Sequence, residues 1–196
     1  MLVILDNGHG KNTPGKRSPV WKDGSQLYEW SFNRRLAREI KIRLDAIGIP
    51  CILLVTEDED ISLQERCWRV NNLCKGRNDV ILISIHANAG GGTGWEAWTS
   101  IGETKSDYYA KLLYNSAGNY LRGWKLRSDY GDGDPDKESQ FYILKNTICP
   151  AIITENLFMD NEKDCKFMLS PEGIETLAAL HVDAIITIND ELNKTF

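Results

Sequence analysis

The sequence predicts an α/β fold in which a mainly parallel sheet carries helices on both faces. Strand-like and helix-like segments alternate along the chain, which is the order typical of that architecture. The run at 80–85, Val-Ile-Leu-Ile-Ser-Ile, is almost continuously apolar, as expected of a strand that is covered on both faces. The 196 residues, 42% hydrophobic and 26% charged, fit one domain, which we expect to span 1–196.

Each strand and helix is predicted by its own local pattern. Short apolar runs bounded by turn residues predict strands at 2–5, 51–55, 80–85, 94–100, 141–144 and 151–154. Apolar residues spaced three and four apart predict helices at 25–47, 62–74, 106–121 and 171–192. Gly48 closes the first of these helices, and Ser62 with Glu65 resembles a capping box that opens the second. The segments 6–23 and 123–140 are predicted to be loops.

Composition and charge exclude several classes of protein. The chain has 23 Lys and Arg against 28 Asp and Glu, a formal charge of −5 that does not favour a nucleic-acid-binding surface. No apolar run approaches the roughly 20 residues of a membrane-spanning helix, so we expect no membrane insertion. Because the first strand is predicted to begin at residue 2, we expect no signal peptide in this chain. The five cysteines lack a Cys-x-x-Cys pair and have apolar neighbours, which indicates buried free thiols.

Three predicted strands lead into side chains that bind metals or titrate. His9 lies shortly after the first strand, His86 directly after the third, and Glu155 directly after the last. In open α/β sheets, ligands bind outside the carboxyl ends of the strands. We therefore expect these three side chains to converge at that edge of the sheet.

A fourth candidate comes from helical geometry. The apolar stripe of the first predicted helix consists of Leu36, Ile40, Leu44 and Ile47. At about 100° per residue, Glu29 falls on the same stripe. A carboxylate that faces the core is costly unless positive charge meets it. The helix N-terminus supplies part of that charge, and a bound cation would supply the rest.

These side chains together are suited to the hydrolysis of an amide. Two histidines and one glutamate form the ligand set of open catalytic zinc sites, in which a water fills the fourth position. Zinc lowers the pKa of that water and polarises a carbonyl oxygen. A second carboxylate, Glu155, can take the proton of the water and deliver it to a leaving nitrogen.

The same residues carry a resemblance to a known family. The motifs are Asp-Asn-Gly-His-Gly at 6–10, Ser-Ile-His-Ala-Asn at 84–88 and Pro-Ala-Ile-Ile-Thr-Glu-Asn at 150–156, with Glu29 and Asn33 between the first two. In this order they resemble the zinc-dependent N-acetylmuramoyl-L-alanine amidases found among bacterial autolysins and phage endolysins. The agreement extends over nearly the whole chain, which makes it far more specific than any single motif.

The resemblance implies an open, mostly parallel, six-stranded sheet in a three-layer α/β/α domain. It also implies that His9, Glu29 and His86 bind Zn²⁺ and that Glu155 is the general base and acid, with zinc-bound water as the nucleophile. The implied reaction hydrolyses the amide between N-acetylmuramic acid and L-alanine in peptidoglycan. We expect a monomer without a separate cell-wall-binding domain. It would stay in the cytoplasm until lysis, as endolysins do, or be exported if a signal has been removed from a precursor.

Two other functions stay open at this point. The same zinc ligand set serves carboxypeptidases, so the first alternative is a zinc peptidase that cuts within the stem peptide. The second is a non-catalytic wall-binding protein on the same fold, because a fold alone does not fix a function. That protein would be expected to have lost Glu155 or a ligand, and this sequence keeps them.

Other features of the sequence are interpreted as structural. His181 lies in a helical pattern of apolar residues and is predicted to pack in the core. Trp95 and Trp98, on a half-buried strand, are also predicted to pack in the core. The acidic run 132–136 lacks the Gly and Glu that an EF-hand loop requires, so no EF-hand is predicted. We expect this run to border the cleft and shape substrate access.

Overall fold

The computed structural model describes residues 1–194, and their side chains as far as residue 192. The strands are β1 (Leu2–Asn7), β2 (Cys51–Leu53), β3 (Val80–Asn88), β4 (Glu96–Thr99), β5 (Lys137–Glu138) and β6 (Ala151–Phe158). They form one six-stranded sheet in the order β2-β1-β3-β6-β4-β5. All neighbouring strands are parallel except β4 and β6, which are antiparallel. The prediction of an open, mostly parallel sheet of about six strands is confirmed.

Helices pack on both faces of this sheet. They are α1 (Glu29–Ala46), α2 (Leu63–Leu73), α3 (Lys105–Tyr120), α4 (Tyr142–Lys145), α5 (Glu162–Leu169) and α6 (Pro171–Lys194). Buried residues of α1, α3, α5 and α6 join one hydrophobic cluster, and those of α2 and α4 join a second. The two clusters are the cores on the two sides of the sheet.

The strands supply both cores because successive side chains point to opposite faces. In β1, Val3 and Leu5 belong to the first cluster, whereas Leu2 and Ile4 belong to the second. Strand β3 alternates in the same way from Val80 to Ile83. Two covered faces are therefore the reason that these strands read as unbroken apolar runs.

The strand predicted at 141–144 is wrong, because these residues begin the short helix α4. The amide of Lys145 donates to the carbonyl of Phe141, and that of Asn146 donates to the carbonyl of Tyr142. Ile143 and Leu144 are buried in the second cluster. A four-residue apolar run has no period that separates a strand from a helical turn. The strand at this edge is instead β5, within the segment predicted to be a loop.

Helix α1 begins at Glu29, later than the predicted start at 25. The chain before it is extended and pairs with an earlier part of the loop, through a bridge between Arg17 and Tyr28. At the other end Gly48 has φ +76°, the left-handed conformation that closes helices. Ile47 lies beyond the helix and is 53% exposed, so its place in the apolar stripe was wrong.

The strands that lead to the candidate site are longer than predicted. β1 extends to Asn7, β3 to Asn88 and β6 to Phe158. His86 and Glu155 therefore lie within strands rather than after them. Helix α5 was not predicted, although Asn161 caps it by accepting from the amides of Lys163 and Asp164. Asn is a preferred residue at that position.

Candidate metal centre

Three of the predicted site residues lie together at the carboxyl edge of the sheet. His9 follows β1, Glu29 is the first residue of α1, and His86 lies near the end of β3. One possible ligand atom from each lies within 4.8 Å of those of the other two. Glu29 Oε1 is 3.1 Å from His86 Nδ1 and 3.3 Å from His9 Nε2. These three residues are called the His/Glu/His cluster below.

The loop that carries His9 is held in place by α1. His9 has φ +62°, a conformation that non-glycine residues adopt rarely and mostly at functional sites. The Asn33 side chain donates to the carbonyl of Gly8 at 3.0 Å, and Arg34 Nη1 donates to the carbonyl of His9 at 2.8 Å. A Cβ at position 8 would lie 2.2 Å from Cε1 of His86, so only glycine leaves room for that imidazole.

Glu29 is 1% exposed and ionised, although it lies in the core. Burial alone raises the pKa of this carboxyl, but the hydrogen bond with His86 and the charges of both histidines outweigh it. The net effect holds the pKa of Glu29 well below its usual range. The backbone amide of Ala87 also donates to Glu29 Oε1, at 3.2 Å. The predicted core-facing carboxylate is thus met by imidazole and amide groups.

Two buried polar atoms of the cluster are without a hydrogen-bond partner among the described residues: His9 Nε2 and Glu29 Oε2. Lys16 Nζ lies 3.8 Å from Glu29 Oε2. Buried polar atoms are normally paired, so unpaired ones need an explanation. An unpaired imidazole nitrogen and an unpaired carboxylate oxygen in one cluster are suited to a cation such as zinc.

Glu155 lies beside the cluster on β6, where its Cα is the register partner of that of His86. Its Oε2 is buried and has no hydrogen-bond partner in the described part of the chain. Burial, assisted by the carboxylates of Glu29 and Glu96, raises the pKa of Glu155 to about 7 against the lowering effect of His86. A carboxyl with a pKa near neutrality can both accept and return a proton.

Glu96 is a site residue that sequence reasoning missed. It is the register partner of Glu155 on the neighbouring strand β4, and it is buried. Its carboxylate accepts from Lys137 Nζ at 2.9 Å, from Asn88 Nδ2 at 2.7 Å and from Arg127 Nε. The sequence around Glu96 gives little sign of its role, because the two cations that compensate it lie 31 and 41 residues further along the chain.

Asn156, the residue after Glu155, ties β6 to its neighbours. Its Nδ2 donates to the backbone carbonyl of His86 at 3.1 Å, and its Oδ1 accepts from Trp95 Nε1 at 3.1 Å. The side chain is fully buried. Asn156 therefore fixes the separation of the strands that carry His86 and Glu155.

A buried ion pair lies beneath the cluster. Arg66 of α2 reaches Asp6 of β1 at 2.5 Å and Asp60 at 2.8 Å, and both Arg66 and Asp6 are buried. Ser84 Oγ donates to the second oxygen of Asp6 at 2.6 Å. Arg66 thus joins α2 to the strand that leads to His9.

Arg66→Ala is expected to lower the free energy of unfolding by about 3–5 kcal/mol, because it leaves the buried Asp6 charge without its partner. Arg77→Ala is the matched control, since Arg77 pairs with Asp79 at an exposed position and should cost less than about 1 kcal/mol. Urea unfolding of both variants measures the difference. Equal losses of unfolding free energy in the two variants would show that the buried ion pair contributes no more to stability than the exposed one.

Solvent reaches the cluster through an open cavity of about 370 Å³. His9 and His86 line it together with Asp60, Leu63 and Ile143. The side chains of His9 and His86 are 17% and 19% exposed. The site is thus open to a ligand rather than closed by packed aliphatic side chains.

The acidic run 132–136 contacts the end of β4 through Asp136. Asp136 accepts from Thr99 at 2.6 Å, and Thr99 is three residues along β4 from Glu96, about 10 Å away in an extended strand. The basic residues Arg127 and Lys137 of the same segment are the ones that reach Glu96. Asp132 and Asp136 line a cavity separate from the one lined by His9 and His86, and the expectation that the acidic run borders the cleft stays a prediction.

The other residues interpreted as structural are placed in the core as predicted. His181 is buried, with Nδ1 2.7 Å from the carbonyl of Leu177 and Nε2 3.0 Å from Thr154 Oγ1, and burial lowers its pKa to about 4. Trp95 is fully buried and Trp98 packs against the second core. All five cysteines are free and four are buried.

Among the described residues, no helix is long and apolar enough to cross a bilayer.

Together the fold and the cluster define a class: an open α/β sheet with a candidate His/Glu/His metal centre and an adjacent acidic side chain at its carboxyl edge. Within this class, the chain belongs to the N-acetylmuramoyl-L-alanine amidase family, Amidase_3, whose model matches residues 3–187. The resemblance drawn from the motifs is confirmed.

Individual relatives agree with this assignment. The chain is 27% identical over 187 residues to the sporulation-specific N-acetylmuramoyl-L-alanine amidase of Bacillus subtilis strain 168, covering 93% of this chain and 66% of that protein. It is also 27% identical to the endolysin of Bacillus phage SPP1, covering 95% of this chain and 65% of the endolysin. The chain thus spans just under two thirds of the length of these relatives.

Solved structures show the same fold. An N-acetylmuramoyl-L-alanine amidase from Clostridium difficile 630 superposes with a TM-score of 0.83 at 26% identity, covering 96% of each chain. The catalytic domain of CwlV, from Bacillus (Paenibacillus) polymyxa var. colistinus, has a TM-score of 0.78 at 22% identity and covers 96% of this chain and 98% of that one. At this lower identity, the second structure supports the fold alone.

Proposed function

We propose that this chain hydrolyses the amide bond between N-acetylmuramic acid and L-alanine in peptidoglycan. The single observation that carries the proposal is the His/Glu/His cluster beside Glu155, in a chain of the amidase family. The proposal includes one catalytic domain over residues 1–196, which acts as a monomer.

His9, Glu29 and His86 would hold the zinc ion in this proposal. The fit rests on the donor set, two imidazole nitrogens and one carboxylate, and on the unpaired atoms His9 Nε2 and Glu29 Oε2. When bound, zinc supplies a Lewis acid that polarises the scissile carbonyl and lowers the pKa of water. The neighbours of the cluster, Asn33 and Asn156, keep the loop and the strands that carry it in position.

Glu155 would move the proton. Its carboxylate accepts a proton from the attacking water as the new carbon–oxygen bond forms at the lactyl carbonyl. The same group then gives this proton to the alanine nitrogen as the carbon–nitrogen bond breaks. The pKa of about 7 suits both halves of that cycle. The charge of Glu96 is neutralised by Arg127 and Lys137. Glu96 would help to hold β6, and with it Glu155, in position without contacting the substrate.

Digestion of purified peptidoglycan tests this proposal. Mass analysis is expected to show free stem peptides that begin with L-alanine, together with glycan strands that carry free lactyl carboxylates. A zinc chelator should stop the release, and added Zn²⁺ should restore it. Peptides cut within the stem would instead indicate the peptidase. Peptidoglycan that stays intact with the zinc-loaded protein would overturn the hydrolase assignment.

A further inference from the structure

Three aspartates form a second cluster of carboxylates on the other side of β4 from the His/Glu/His cluster. Asp107 lies in the first turn of α3, and Asp134 and Asp136 lie in the segment before β5. One oxygen of each lies within 4.8 Å of those of the other two. Thr99, the last residue of β4, lies among them. These three carboxylates are called the aspartate cluster below.

The aspartate cluster has too few hydrogen-bond donors for its oxygens. Thr99 Oγ1 lies 2.9 Å from Asp107 Oδ1 and 2.6 Å from Asp136 Oδ2, but a hydroxyl has only one hydrogen to donate. Asp134 Oδ1 and Asp136 Oδ1 are buried and have no donor at all within the described residues. Asp136 is 1% exposed, so its carboxylate has lost most of its contact with solvent. Asp107 Oδ2 accepts from the amide and the hydroxyl of Thr104, so the shortage of donors falls on Asp134 and Asp136.

Nearby basic residues do not compensate this charge. Lys137 and Arg127 of the same segment both pair with Glu96. None of the ion pairs found within residues 1–192 includes a member of the aspartate cluster. The open cavity beside Asp136 adds further carboxylates, from Asp129, Asp132 and Glu138. The local field thus favours entry of a cation.

We propose that Asp107, Asp134 and Asp136, with the Thr99 hydroxyl, bind a hard divalent cation, of which Ca²⁺ is the best candidate. All the donors are oxygens, which suits Ca²⁺ or Mg²⁺ and does not suit zinc. The glycine-rich segment 129–138 allows the irregular, flexible geometry that Ca²⁺ accepts and Mg²⁺ does not. This site is not an EF-hand, because its ligands come from two distant segments.

The physical alternative is a proton shared between two carboxyls. Burial and the neighbouring Asp134 raise the pKa of Asp136 to about 8, so a protonated Asp136 can donate to Asp134 near neutral pH. A cation needs both groups ionised and therefore competes with that proton. Cation affinity is thus expected to increase as the pH rises toward 8 and above.

The experiment titrates CaCl₂ into the zinc-loaded protein in metal-depleted buffer, with isothermal calorimetry and thermal unfolding as readouts. At a Ca²⁺ concentration about 100 times Kd, Tm is expected to rise by about 5–10 °C, with a smaller effect of MgCl₂. Asp134→Asn and Asp136→Asn should each lose most of this shift and of the binding heat. Glu103→Gln, a matched loss of one exposed carboxylate just before α3, should keep both.

The outcomes separate the cation from the proton. If the wild-type protein shows neither heat nor a Tm shift at about 10 mM Ca²⁺, the cation site is refuted and the shared proton explains the cluster. If the shift persists in both aspartate variants, Ca²⁺ binds elsewhere and the proposal also fails. Asp134 is only half-buried, so its variant remains informative even if Asp136→Asn folds poorly.

Discussion

Glu155→Gln is expected to lower peptidoglycan turnover by at least about 100-fold while leaving zinc binding intact. Glutamine keeps the size of the side chain but can neither accept the proton of the attacking water nor deliver one to the leaving nitrogen. General acid–base groups contribute about 10²–10⁴ in rate, and Glu155 would serve in both steps. Turnover is measured by release of stem peptides, and zinc content by elemental mass spectrometry on the same sample.

Glu103→Gln is the control for this result, because it makes the same change at an exposed position outside the cleft. Its turnover and zinc content should equal those of the wild-type protein. Full activity of Glu155→Gln would show that another group moves the proton. Loss of zinc together with activity would show instead that Glu155 supports the metal site.

His86→Ala is expected to weaken zinc binding by at least about 100-fold, and with it to abolish turnover at stoichiometric zinc. Removing one of three protein ligands costs more than removing a group that only orients a ligand, for which 10–100-fold is typical. The variant also leaves Glu29 with one histidine neighbour instead of two. Equilibrium dialysis measures zinc affinity, and the rise of Tm on adding Zn²⁺ provides an independent readout.

His181→Gln is the control for metal loss, because His181 is the third histidine and lies in the core away from the His/Glu/His cluster. It should reduce stability but keep zinc binding in the folded fraction. Zinc affinity that is unchanged in His86→Ala would remove His86 from the ligand set. Glu155→Gln and His86→Ala thus separate the group that moves the proton from a group that holds the metal.

The candidate site was largely predictable because its residues follow from local rules. Strand periodicity placed His9, His86 and Glu155 at one edge of the sheet, and helix periodicity placed Glu29 on the core-facing stripe. Both kinds of periodicity can be recognised from residues that are close together in the sequence. The structure agrees on the juxtaposition, although two of these residues lie inside their strands rather than beyond them.

The partners of Glu96 and of Asp136 were not predictable in this way. Glu96 is compensated by Arg127 and Lys137, and Asp136 faces Asp107 across two elements. Such pairings depend on where a long loop crosses the sheet edge, which no local period encodes. The same limit produced the wrong strand at 141–144, because tertiary packing against α2 decides how a four-residue apolar run folds.

By itself, the sequence determined the order of strands and helices as far as residue 121, the covered sheet, and the four side chains proposed for catalysis and metal binding. These depend on the spacing of apolar residues and on short motifs, which act through neighbouring residues along the chain. Only the tertiary structure decided the buried ion pair of Arg66, the compensation of Glu96, and the aspartate cluster. Those features arise where charged side chains from distant parts of the sequence are buried next to one another. Each buried charge needs a partner, and only the folded chain decides which partner is close enough.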